Sequence, residues 1–385
     1  MEGFCQRLNQ SPWRGIVTEV GIGLEFSSRY LRVPGASKTI LRVECPYGDL
    51  LPIGMRAVSL ENAKRLAKVN LDVARSLAEA KGQDDRDNLF SLTITGAHYE
   101  NRGSNVWVYL ATPKWDAYMH FEVATSSDRE WVGRIVSDRV QWLMEATMLS
   151  TASWTQHIED IGDSLEVHNI DVLYAPGVSD AERLMLLRPN NPLAYHGGTF
   201  RRVTDVVRTF PMIYPGAFNP PTKEHLSATA LFEISQEHYY KGGLSIEDMI
   251  HRMRMLDLEG KPVLLTQAPR FIDKYKVLKK RSPNERFIFL LGMDAWNMTI
   301  PHHQYPSERW LYEQMPDVEF WIKPRPGIEL YENGVSKHLT YKVLEGEGAE
   351  TNSTEVRDSD NPSGHEYLTD KVSEYIMRQR LYKNG

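Results

Sequence analysis

The segment with the clearest chemical promise runs Tyr214-Pro215-Gly216-Ala217-Phe218-Asn219-Pro220-Pro221-Thr222-Lys223-Glu224-His225-Leu226. A strand over Phe210–Tyr214 would run into this Gly/Pro loop, and a helix would open near Thr222. Gly216 permits close backbone approach, so Gly216, Ala217 and Phe218 would set free N–H groups and a helix N-terminus at a strand's carboxyl end. That arrangement attracts anions. Thr222 and His225 stand three residues apart, on one face of the first helical turn. Hydroxyl and imidazole there would hold phosphate oxygens together, and a protonated His225 would offset charge on a transferring phosphoryl group. The same letters also fit a proline-rich turn with an N-capping Thr222 and a surface His225.

Three further segments favour the phosphate reading. Gly292-Met293-Asp294-Ala295-Trp296 follows an apolar run, Phe287–Leu291. Glycine at a strand end lets a nucleoside pack on backbone, Asp294 would accept from ribose hydroxyls, and Trp296 offers a ring for stacking. Lys323-Pro324-Arg325-Pro326-Gly327 follows the run Val318–Ile322 and would reach the same edge of a sheet. Thr351-Asn352-Ser353-Thr354-Glu355-Val356-Arg357 puts hydroxyls before a helix and an Arg on its first turn, a second anion site facing the first. Each fragment alone fits a core Trp, a surface loop or a capping box. Their order along the chain is the stronger signal.

The elements that must position these residues read as α/β throughout. In the first half, Ser59 caps a helix reaching Ala80, Leu89–Thr95 and Asn105–Ala111 read as strands, and Glu130–Met148 reads as a helix. In the second half, helical patterns cover Thr222–Ser235 and Ser245–Leu258. Val263–Thr266, Phe287–Leu291 and Val318–Ile322, apolar on both faces, read as strands of a parallel sheet. Between the halves lie a short strand at Asp171–Tyr174, the turn-rich Arg188–Pro192 and Gly197-Gly198. The predicted organisation is a domain over 1–150, a linker or poorly defined region over 151–208, and a domain over 209–385.

Composition narrows the class. The 385 residues are 41% hydrophobic and 25% charged with net charge −6, which suits two folded domains and excludes a disordered chain. Two cysteines cannot build a thiolate zinc cage, and a reducing compartment is expected. The N-terminal residues lack the basic-then-apolar pattern of a signal peptide, and no run reaches the roughly 18 apolar residues of a membrane span. The expectation is a cytoplasmic protein whose ligands are small molecules, with no membrane partner. The acidic total argues against bulk nucleic-acid binding.

Residues 210–385 resemble the nucleotidyltransferase superfamily that includes nicotinamide and nicotinate mononucleotide adenylyltransferases. Its Gly-x-Phe-(Asn/Asp)-Pro-x-(Thr/His)-x-x-His element matches Gly216, Phe218, Asn219, Pro220, Thr222 and His225. Its Gly-x-Asp element matches Gly292 and Asp294, Arg-x-Gly matches Arg325 and Gly327, and Ser-Thr-x-(Ile/Leu/Val)-Arg matches Ser353, Thr354, Val356 and Arg357. Glu224 stands where many members carry glycine. The resemblance implies a Rossmann-like parallel sheet and ATP-dependent transfer of AMP to a mononucleotide phosphate, with pyrophosphate released. His225, Thr222 and Arg357 would carry the chemistry, with Gly216, Ala217, Phe218, Gly292, Asp294, Ser353 and Thr354 on the nucleotide. Mg²⁺ would come with ATP, bridging phosphates without a dedicated carboxylate cage. Trp296 or Trp310 would stack on a pyridine ring, with Arg325 beside the mononucleotide. The basic run Lys274, Lys276, Lys279, Lys280 and Arg281 reads first as a solvated helix face, and alternatively as placing Lys274 or Lys276 on the mononucleotide phosphate.

Residues 14–148 resemble the carboxy-terminal domain of CinA, whose active members are nicotinamide-nucleotide amidases. The matching pieces are Thr18-Glu19, Arg29–Ser37, Arg56–Ser59, Thr93–Gly96 and Val108–Ala111. The family's Glu-Ser-Cys-Thr-Gly-Gly is here Glu19-Val20-Gly21-Ile22-Gly23-Leu24, and the family's Gly-rich stretch is here Ala97–Asn101. Valine at the nucleophile's position cannot attack an amide, so this half reads as a pseudoenzyme. Ligand binding, self-association into a homo-oligomer and regulation of its neighbour are the roles left to it. Both families handle pyridine mononucleotides, which makes one of them the leading acceptor. The alternatives are a catalytically weak pyridine-nucleotide sensor and a transferase with another phosphate acceptor.

Overall fold

The alternation of apolar runs and amphipathic stretches folds into two α/β units, dividing between Leu186 and Leu187, in a computed structural model. The structure describes residues 2–21, 24–46, 57–82, 86–99, 103–123, 129–149, 167–237, 242–299, 305, 308–330, 339–345 and 353–382. Of the residues singled out above, Ile22, Gly23, Arg56, Glu100, Asn101, Thr351 and Asn352 lie outside these.

The first unit carries α1 (Glu2–Gln10), β1 (Arg14–Gly21), α2 (Leu24–Leu31), α3 (Ala36–Thr39), β2 (Ile40–Glu44), α4 (Leu60–Ala80), β3 (Leu89–Tyr99) and β4 (Gly103–Ala111). β5 (Asp116–Val123), α5 (Arg129–Met144), β6 (Val167–Tyr174) and α6 (Asp180–Leu184) complete it. The sheet order is β2-β1-β3-β4-β5-β6, parallel across β2, β1 and β3 and antiparallel from β3 onward. Ser59 caps α4 as its position predicts, accepting the Asn62 N–H at 3.2 Å. The small residues Ala63, Ala67 and Ala78 then let this helix lie close on Trp107, Tyr109 and Ala111 of the sheet. Gly21 has φ 81°, and a Cβ there would lie 2.0 Å from the Gly96 carbonyl oxygen, so β1 and β3 close on each other with no room for a side chain.

The second unit begins with a hairpin, β7 (Leu193–His196) and β8 (Thr199–Arg201), turning through Gly197 and Gly198. It continues through α7 (Val203–Thr209), β9 (Met212–Pro215), α8 (Lys223–Leu226), β10 (Leu231–Ser235), α9 (Ile246–Leu258), β11 (Val263–Thr266) and α10 (Phe271–Arg281). β12 (Phe287–Gly292), α11 (Met293–Thr299), α12 (Glu308–Gln314), β13 (Val318–Lys323), β14 (Thr340–Val343), α13 (Ser353–Asp358) and α14 (Asp370–Gln379) follow. The sheet order is β14-β13-β12-β9-β10-β11-β7-β8, parallel from β14 to β11 with the hairpin antiparallel at its edge. The continuous apolar runs that predicted a parallel sheet are its central strands, with Ile213, Leu264, Phe289 and Phe320 buried on its faces.

Two sequence expectations change. Thr222–Ser235, read as one helix, is a single helical turn followed by strand β10. Helix-forming residues such as Ala228 and Ala230 suggested continuation, but Leu231–Ile234 are buried and pair on both sides, with β9 and β11. The region read as a linker is divided between the units: β6 pairs with β5, while β7, β8 and α7 belong to the second unit. Tertiary pairing holds these short strands, and little local periodicity announces them.

Candidate functional site

Beyond β9, the backbone enters a tight loop with a cis Asn219-Pro220 peptide. Phe218 adopts φ 44°, a left-handed conformation uncommon for a bulky residue and worth roughly 1–3 kcal/mol of strain. Burial of its ring holds it there: Phe218 is packed edge-on against Tyr214, Phe232 and His225, with centroids 5.1–5.4 Å apart. Gly216 makes that packing possible, since a Cβ there would sit 2.5 Å from the Phe218 ring. The close approach at Gly216 is therefore made by the chain's own aromatic ring.

Thr222 and His225 form a reciprocal cap. The Thr222 hydroxyl accepts the His225 N–H at 3.5 Å, and His225 Nδ1 accepts the Thr222 N–H at 3.1 Å, with the Thr222 hydroxyl 2.8 Å away. Since Nδ1 accepts a backbone N–H, the neutral ring's proton is assigned to Nε2. Burial, and secondarily the Lys323 charge, lower the His225 pKa to about 4. Without a bound anion His225 is neutral at pH 7, and buried Thr222 directs its hydroxyl at His225.

The Ser353–Asp358 helix meets the 215–222 loop. Ser353 Oγ donates to the Pro220 carbonyl at 2.8 Å, Arg357 Nη1 donates to the Asn219 carbonyl, and Arg357 Nη2 donates to Thr354 Oγ1 at 3.0 Å. Val356, fully buried, anchors this helix. Lys323, at the end of β13, donates to the Glu224 carbonyl at 3.1 Å and lies 5.5 Å from the Tyr214 ring centroid. The sequence places it in a segment reaching this edge of the sheet, without assigning it a partner. Arg252 of α9 and Tyr382 also reach the loop, donating to the Ala217 carbonyl at 3.0 Å and to Asn219 Oδ1. The signal for Arg252 was present: it shares the apolar face of its helix with Met249, Met253 and Leu256. A charged residue on such a face has a polar task.

At the neighbouring strand ends, Asp294 Oδ2 pairs with Arg325 Nη1, which brings two predicted site residues together. Asp294 Oδ1 is buried without a hydrogen-bond partner among the described residues. A Cβ at Gly292 would meet no atom of the described residues within 4 Å, so among them the space over its backbone is open.

The aromatic and lysine expectations fare differently. Trp296 is 1% exposed and sits in the core, its ring 5.7 Å from Phe320 and 5.1 Å from Tyr341, so it offers no free face for stacking. Trp310 is half-buried and stacks with Tyr305 at 6.4 Å. Lys274 is buried, 3.0 Å from Glu233 Oε1, which also accepts from Thr266 at 2.5 Å. Lys276 is exposed on α10, and no hydrogen bond or ion pair among the described residues ties it to the loop.

The sheet order explains why these fragments converge. β9 leads to β10 and β11 on one side, and the chain then crosses to β12 and β13 on the other. The change of direction falls between β9 and β12, at whose carboxyl ends the 215–222 loop and Gly292–Asp294 begin, the place where open α/β sheets take their ligands.

No family model and no curated protein matches the chain. Among solved structures, it is similar to the nicotinic acid mononucleotide adenylyltransferase of Plasmodium falciparum complexed with NaAD, at 20% identity and TM-score 0.34, over 44% of this chain and 96% of that one. It is also similar to a CinA-superfamily protein from Enterobacter cloacae, at 13% identity and TM-score 0.26, over 36% of this chain and 88% of that one. A third, the competence/damage-inducible protein CihA of Agrobacterium tumefaciens, is 17% identical at TM-score 0.27, over 36% and 92%.

Proposed function

We propose that the second unit transfers AMP from ATP to nicotinate or nicotinamide mononucleotide and releases pyrophosphate. The observation that carries this reading is the meeting of two phosphate-type elements, the His225 loop and the Ser353–Arg357 helix, at the β9–β12 crevice. The mononucleotide phosphate would attack the α-phosphorus in line, and the bridging P–O bond to the β-phosphate would break with its electron pair leaving on pyrophosphate. His225 Nε2–H would donate to an α-phosphate oxygen while Arg357 and Lys323 offset the charge. Thr222 is a positioning residue that fixes the imidazole. Adenosine would lie over the open Gly292 backbone, with a ribose hydroxyl donating to Asp294 Oδ1, and Arg325 keeping that carboxylate in place.

The crevice carboxylates Asp294 and Glu224 are each paired with a cation, so the site suits Mg²⁺ brought on ATP rather than held by the chain. The choice of acceptor rests on the motif resemblances of both halves. In the first unit, Val20 provides no nucleophile, and we assign that unit no amidase activity.

The test is pyrophosphate release from MgATP with each mononucleotide, in wild type and His225→Ala. Acceptor-dependent release that falls roughly 10²–10³-fold in the variant is expected, the loss typical of one preorganised donor. Absence of release with either acceptor would overturn the reading, and binding of NAD without turnover would replace it with sensing.

A further inference from the structure

Arg252 and Arg357 donate to carbonyls two residues apart, those of Ala217 and Asn219. Arg252 is 7% exposed, and its Nε is buried with no partner among the described residues. Neither guanidinium is bonded to a carboxylate among those residues. Asp248, one turn before Arg252, lies within electrostatic reach but shares a carboxylate oxygen with the Ser245 hydroxyl at 2.8 Å. Burial pushes the Arg252 pKa below its ordinary value, and the Arg357 charge adds to this, while Tyr382 and Asp248 act the other way. A desolvated cation beside another cation is unfavourable unless a counter-charge is expected there.

Tyr382 does not supply that charge. Its hydroxyl donates to Asn219 Oδ1, and burial pushes its pKa up to about 12, so a neutral phenol stands within reach of both guanidinium groups.

We propose that Arg252 acts with Arg357 as a second phosphate arginine, gripping the pyrophosphate portion of the nucleotide, and that Tyr382 holds the place beside them until it binds. This rests on the nucleotidyl-transfer reading of the same crevice. Two guanidinium groups make charge-assisted bonds to the oxygens that become the leaving group, so their hold strengthens as charge moves onto pyrophosphate.

The experiment is calorimetric titration of the full chain with inorganic pyrophosphate, together with thermal unfolding without ligand, for wild type, Arg252→Gln and Tyr382→Phe. Arg252→Gln is expected to weaken pyrophosphate binding by roughly ten- to a hundredfold. It should unfold without ligand at a temperature no lower than wild type, because relief of like-charge repulsion offsets the lost bond to Ala217. Tyr382→Phe should bind pyrophosphate at least as tightly as wild type. A lowered midpoint with unchanged affinity would reduce Arg252 to a clamp on the loop and overturn the inference, as would the absence of pyrophosphate binding in wild type. If Arg252→Gln does not fold, Arg252→Lys replaces it, with weakened binding supporting the proposal and unchanged binding overturning it. Pyrophosphate binding needs no acceptor, so the two readings separate. Arg252-dependent binding without mononucleotide turnover would keep the anion site and remove adenylyl transfer. Turnover with binding indifferent to Arg252 would do the reverse.

Discussion

His225 gains its character from one helical turn. The cap holds Nδ1 while Tyr214 and Phe218 pack against the ring, and desolvation lowers its pKa from 6.5 to about 4. In the unfolded chain the same imidazole takes up a proton near pH 6.5, so the unfolded state binds more protons between these values. Stability of the second unit is therefore untouched above pH 7, falls as pH drops through 6.5 and levels out below 4. The linkage amounts to about 2 kcal/mol at pH 5. His225→Gln preserves the cap, because glutamine at this position can accept the same N–H. Denaturant unfolding at pH 7.5 and 5 should show the wild type losing more stability than this variant, and parallel losses would refute the assignment. The residue types Thr222 and His225 were legible as a pair in the sequence. What could not be read was that the threonine serves the histidine, because hydroxyl direction depends on the burial of both.

The loop that follows β9 is an element shaped by a single ring. Phe218 occupies the space over Gly216, and the left-handed backbone at Phe218 persists because the ring is packed on three sides. Gly216→Ala would push a methyl group into that ring, and a loss of roughly 1–3 kcal/mol is expected from overpacking. Combining it with Phe218→Leu should recover part of the loss that the two single changes sum to, measured by denaturant unfolding. Strict additivity would show that the ring and Gly216 do not oppose each other. The helix and strand periods announced α4, α9 and most central strands, since each buries one face or both against the sheet. They misjudged β10, where helix-forming residues precede a strand fixed by its neighbours, and they suggested Trp296 as a ligand platform although the same ring fills the core beside Phe320.

Across the whole chain, two α/β units carry different chemical equipment. β1 keeps Glu19, buried against Ser27 and raised by burial to a pKa of about 7, next to Val20, which cannot act as a nucleophile. Incubation of the full chain with nicotinamide mononucleotide, MgATP and chromatographic analysis should therefore yield an adenylylated product and no deamidated mononucleotide. Ammonia release matched by nicotinate mononucleotide would overturn the assignment of the first unit. No helix among the described residues is long and apolar enough to cross a membrane.

The α/β class and the parallel sheet of the second unit followed from the sequence, because each depends on local period and turn chemistry. The tertiary structure decided which side chains meet. Strand order sets Gly292 and the 215–222 loop at the ends of neighbouring strands and pairs Asp294 with Arg325, while packing buries Trp296 and Lys274. Arg252, Lys323 and Tyr382 reach residues 217–224 from positions distant in the chain. The physical reason is that a side chain's chemical type is local, whereas its burial, its partners and therefore its charge state are set by segments far away in sequence.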